Sequence, residues 1–189
     1  MLDDLFAPPP PPLDWDIVVT SREGGQRRLR RALGRLARLR RCDFKNVLIA
    51  RVENVDAFLQ GVAQRLADRP LIGEWLGKVL PIECTFPVDV GTFVAQVQAE
   101  SVRFLDRLAG RSFHVRVERR GHKGVLNTHD IERALGEYVY EALVTRGTPG
   151  SVKFRDPDAV LVVEVLGPMA GVGLVTRDLH TRFPFVRID

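Results

Sequence analysis

Cations gather in two places along this chain. The first is residues 112–124, SFHVRVERRGHKG. Phe113, Val115 and Val117 alternate with His114, Arg116 and Glu118. That period of two predicts a strand with one apolar face. The alternation then gives way to Arg119, Arg120, Gly121, His122 and Lys123. A glycine there lets the backbone come close to a ligand or take positive φ. Cations around an open backbone suit phosphate oxygens, which position a nucleic acid without reporting its base sequence. His122 is the nearest ring and Phe113 belongs to the apolar face, so backbone and shape recognition is expected rather than base stacking. Taken alone, the same residues also fit a solvated strand end before a turn.

The second cluster is Arg27, Arg28, Arg31, Arg35 and Arg38, set among Leu29, Leu33 and Leu36. Arginine forks onto phosphate with paired hydrogen bonds and stacks on bases, which lysine does not. A solvated helix face would look similar. Arg31 and Arg35 are carried forward as candidate RNA contacts.

Other chemistry is hard to assemble. There is no GxxxxGK[ST] phosphate loop. The glycines of 167–173 (GPMAGVG) lie between two predicted strands, whereas a dinucleotide fingerprint runs from strand into helix. They read as a hairpin turn. Residues 31–36 (RALGRL) only half resemble an acyl-CoA pyrophosphate loop, because the final position holds Leu36. His114, His122, His129 and His180 lack metal-ligand spacing, and Cys42 and Cys84 form no CxxC pair. No catalytic residues, metal or cofactor are expected.

The elements that must position these residues follow from periodicity. Residues 15–20, 45–52, 79–86, 112–118, 152–154, 159–166 and 172–176 read as strands, and AVLVVEVL (159–166) as a central one covered on both faces. Helices are predicted over 26–40, from Asn54, over 90–109, and from Asn127 or Thr128. PPPPP (8–12) predicts an extended polyproline tail. The order implies two small α/β (α+β) units: a disordered tail over 1–13, a ferredoxin-like split βαβ unit over 14–88, and a second mixed unit over 89–189. The chain of 189 residues is 28% charged with a net charge of +4. No apolar run reaches the ~20 residues of a membrane span. The acidic start MLDDLF is no secretory signal. A cytoplasmic protein without a membrane partner is expected.

The strand end Arg116-x-x-Arg119-Arg120-Gly121, the helix after it, VKFRDPDAVLVVEVL (152–166) and AGVGLVTRD (170–178) together resemble the THUMP domain. That domain occurs in 4-thiouridine synthetases, tRNA methyltransferases, pseudouridine synthases and the adaptor of tRNA cytidine acetylation. There it follows a ferredoxin-like domain, and the pair grips the tRNA acceptor stem and 3′ end. The resemblance covers roughly 14–189 by architecture and about 112–178 by motif. It implies that Arg116, Arg119, Arg120, Gly121, His122 and Lys123 face RNA, with Gly171 and Gly173 beside them and Arg177 close after. No catalytic domain follows before Asp189. The chain therefore looks like a free-standing, non-catalytic module that binds tRNA, not DNA, and presents it to a separate modification enzyme. The alternatives are an RNA-modifying enzyme with an unrecognised active site, or a ferredoxin-like small-molecule regulator with an apolar pocket.

Overall fold

The computed structural model describes residues 14–188, and the expected proline-rich tail lies outside them. Two sheets organise the chain. The first has four strands: β1 (Ile17–Ser21), β2 (Arg40–Arg41), β3 (Val47–Ala50) and β4 (Leu76–Pro81), in the order β2-β3-β1-β4 with all neighbours antiparallel. With α1 (Gln26–Leu33) after β1 and α2 (Val55–Asp68) after β3, this is the ferredoxin-like βαββαβ arrangement. A short α3 (Ile72–Trp75) leads into β4.

The second sheet has the order β5-β9-β8-β6-β7. Its strands are β5 (Cys84–Pro87), β6 (Ser112–Arg120), β7 (Ser151–Val152), β8 (Ala159–Leu166) and β9 (Met169–Thr176). β6 runs parallel to β7 and β8, and the other pairs are antiparallel. The helices are α4 (Phe93–Ser101), α5 (Leu105–Leu108), α6 (Thr128–Thr145) and α7 (Arg177–Arg182). The chain is an α/β protein, as its sequence predicts.

Helix starts follow their caps. Asn54 Oδ1 accepts from Ala57 N (2.9 Å), and Asn127 Oδ1 from His129 N (3.0 Å). Phe93, Val97, Phe104, Ile131, Leu135 and Val139 face one side of the second sheet and form a core with Phe113, Val115 and Val117. The opposite side packs on the first sheet: Val162, Leu166 and Val175 share a core with Trp15, Ile17, Leu29 and Phe58. β8 is thus covered on both faces, which explains its apolar run. The carboxy-terminal segment seals the edge of β4, where Phe185 O accepts from Val79 N (2.9 Å).

Several predicted boundaries move. The first helix ends at Leu33, not residue 40, and Arg40 and Arg41 pair with β3. Leu36 keeps the apolar period alive by seating its methyls over Gly61, where a Cβ would come within 2.7 Å of them. The expected strand 79–86 is divided: β4 joins one sheet and β5 the other. The expected helix 90–109 is broken by a 3-10 turn over Val102–Phe104. The last strand starts at Met169, so Gly167 and Pro168 make the turn. α7 has no counterpart in the predicted elements. Among the described residues, no helix is long and apolar enough to cross a membrane.

Candidate nucleic-acid interface

The cationic end of β6 meets two other segments. Gly167, in the β8–β9 turn, donates its N–H to Arg120 O (2.9 Å). His122 Nε2 donates to Gly167 O (2.7 Å). The ring of Phe44, from the β2–β3 connection of the ferredoxin-like unit, covers both glycines: a Cβ on either would lie 3.5 Å from it. Gly121 has φ of +94°, which strains any residue with a side chain, and its Cβ position would pack tightly, 3.3 Å from Gly167 Cα. His122 also takes positive φ (49°). This holds the chain in a tight loop closed by Val125 N and Leu126 N donating to His122 O (both 3.1 Å). Among the described residues, the backbone N–H groups of His122, Lys123 and Gly124 have no protein acceptor. Such N–H groups beside a cation are free to donate to an anion. Lys123 is exposed.

Arg116 is also exposed and lies 3.7 Å from Glu132 of α6. β7 covers only Ser112 and Phe113, so the rest of β6 lies at a sheet edge, where Glu132 Oε1 accepts from Val117 N (2.9 Å).

Arg119 and Arg120 are placed differently from the loop residues. Both are half-buried. Arg119 donates to Gly121 O, and its Nε is buried without a partner among the described residues. Arg120 forms an ion pair with Glu164, a carboxylate on β8 that is fully buried. Arg120 also lies 3.5 Å from Glu118, which pairs with Lys78 on β4. Lys78 is only 3% exposed. The four charges therefore bridge the two sheets.

Arginines of α1 and the turn after it line an open groove of about 1020 Å³ with residues the sequence did not single out. Arg27, Arg28, Arg31 and Arg35 face Arg65 and Arg69 at the end of α2. Among the described residues, none of these six forms an ion pair. Arg28 lies over the ring of Trp75, 5.3 Å from its centroid. A smaller cleft joins Arg27, Arg30 and Arg31 to Arg41. Next to Arg41 is Cys42, whose thiol feels the charge of Arg120.

Three predicted residues lie away from this surface. Gly171 and Gly173 are strand residues buried between the sheets. A Cβ at Gly171 would strike Ile82 (2.6 Å) and Trp15 (2.8 Å), and one at Gly173 would strike Pro81 O (2.3 Å). Their role in this structure is close sheet packing. Arg177 sits at the other end of β8, held by Asp156 and Asp158 (3.1 and 2.9 Å). β8, whose eight residues span about 23 Å at roughly 3.3 Å per step, lies between it and Gly167.

Burial pushes the Cys42 thiol up and that of Cys84 to about 12, so neither is an activated thiolate. Among the described residues, no group of three or more His, Cys, Asp or Glu could hold a metal ion. A separate apolar cleft of about 420 Å³ lies between α6 and the β6 edge, lined by Phe113, Val115, Tyr140, Val152 and Phe154.

The THUMP domain family matches residues 96–175, which include β6, the Gly121 loop, α6, β8 and most of β9. The chain carries a THUMP domain. It is similar in fold to PH1313 from Pyrococcus horikoshii (9% identity, TM-score 0.57) and to TrmN from Thermus thermophilus (19%, 0.64). It is also similar to a 4-thiouridine synthetase solved with RNA and bound ATP (19%, 0.52). These alignments cover 86%, 90% and 86% of this chain but 55%, 48% and 41% of the others. The chain therefore spans about half the length of the structures it resembles. No curated protein matches it. Beside the THUMP domain, the ferredoxin-like unit contributes Phe44 to the loop and carries the arginine groove. Phe44, Trp75, Arg65 and Arg69 escaped sequence reasoning because each sits on an element remote in the chain from the cation clusters. The lone Glu164 inside AVLVVEVL was the readable sign of a buried charge partner.

Proposed function

We propose that this chain binds RNA through the surface that joins the Gly121 loop to the arginine groove, and that its ligand is tRNA at the acceptor stem and 3′ end. In this reading it presents the tRNA to a separate modification enzyme. The observation that carries the proposal is the loop itself: unpaired backbone N–H groups beside Lys123, built jointly by the THUMP domain and the ferredoxin-like unit. The likeness in fold to a 4-thiouridine synthetase solved with RNA supports it. Phosphate contacts release counterions, so binding falls steeply with salt. Trp75, under Arg28, offers a stacking surface for an unpaired base.

The test is a titration with tRNA, with tRNA lacking its 3′ end, and with duplex DNA, at two salt concentrations. Intact tRNA is expected to bind tightest and to lose affinity as salt rises. Equal weak binding to all three would sink acceptor-end recognition. Incubating the purified protein alone with unmodified tRNA and digesting to nucleosides tests the delivery role. A converted nucleoside would overturn it in favour of an enzyme.

A further inference from the structure

We infer that Arg119 and Arg120 are positioning residues that hold the Gly121 loop from behind, and that they do not contact RNA phosphate. The inference rests on the RNA-binding reading for its functional consequence. The two side chains brace the loop from opposite faces of β6. Arg119, on the α6 face, donates into the loop at Gly121 O. Arg120, on the face toward the first sheet, is tied to the fully buried Glu164 and, through Glu118, to Lys78 of β4. A guanidinium that leaves a buried carboxylate to reach solvent phosphate strands that carboxylate without a counter-charge, which is strongly unfavourable. Glu164 already has one oxygen, Oε2, without a hydrogen-bond partner among the described residues. It therefore depends on Arg120 for charge compensation. The tie to the first sheet runs through Glu118 to Lys78 of β4, so the network holds the loop end of β6 against that sheet.

Salt dependence separates positioning from direct binding, because the slope of log K against log salt counts phosphates neutralised, at about 0.9 per phosphate on a duplex and 0.7 on a single strand. Arg120→Met alone should lower Tm, and Arg120→Met with Glu164→Leu should restore it, since an apolar pair can replace a buried ion pair. The double variant should bind tRNA within about threefold of the parent, with an unchanged slope. Lys123→Gln should lower the slope by the amount due to one phosphate. In the unmutated protein, the Arg119 and Arg120 Nε–H NMR signals should barely shift on adding tRNA, while the amides of 122–124 move. A double variant whose slope falls as that of Lys123→Gln does, or large shifts of the two arginine signals, would overturn the inference. The stability arm needs no RNA. If tRNA fails to bind the parent, the RNA reading falls, while failure of the double variant to recover Tm rejects the tie itself.

Discussion

At the scale of single residues, identity and role separate once burial is known. Arg119, Arg120 and Lys123 are three cations within five positions, and only Lys123 is exposed. At the other end of β6, the carboxylate of Asp158 has a structural role of its own. Ser112 donates to it from both its hydroxyl (2.7 Å) and its backbone N–H (2.9 Å), and these bonds hold its pKa below the usual carboxylate value. They tie the start of β6 to the turn before β8. A depressed carboxylate adds stability above its unfolded value of about 3.9 and loses it as pH falls through the folded value. Unfolding measured from pH 7 to pH 2 should therefore show stability declining below about pH 4. Asp158→Asn should flatten that part of the profile and lower stability at neutral pH.

Elements decide which cations act together. α1 ends after Leu33, and Gly34 begins a turn that brings Arg35 to the rim of the groove. Arg65 and Arg69 arrive one helical turn apart at the end of α2. There they have no carboxylate partner among the described residues, so a bound anion would relieve their mutual repulsion. Replacing Arg31, Arg35, Arg65 and Arg69 with Gln should lower tRNA affinity and reduce the salt slope by about 0.7–0.9 for each phosphate that is no longer neutralised. Tm should hold or rise slightly. A slope equal to that of the parent in fluorescence anisotropy would remove the groove from the RNA surface.

The whole molecule is held by the packing of the two sheets. β9 lies against β4 and the chain just after it, close enough that Gly173 leaves no room for a methyl group beside Pro81 O. Gly173→Ala should cost about 1–3 kcal/mol by overpacking. Because the strain falls between the sheets and not within either, tryptophan fluorescence from Trp15 should report it directly: Trp15 packs beside the neighbouring Gly171. Denaturant unfolding followed at Trp15 and by circular dichroism should lose coincidence in this variant. Coincident curves with unchanged midpoint would show that the interface adapts.

Much of the architecture was readable from local pattern. The alternation in β6, the apolar run of β8, the Asn54 and Asn127 caps and the stripe of α6 are short-range signals, and each formed the expected element. The resemblance of 112–178 to the THUMP domain rested on those same strands and their turns. Long-range pairing was not readable, because a strand does not encode which sheet it will join. Tertiary structure alone divided residues 79–86 between two sheets, put Gly171 and Gly173 inside the interface, and left Arg177 at the far end of β8. It also turned Arg120 toward Glu164, 44 positions away in the chain. The sequence determined that cations cluster around Gly121. Whether a given cation meets solvent or a buried carboxylate is set by the sheet packed behind it, since desolvation and ion pairing depend on neighbours that only the folded chain supplies.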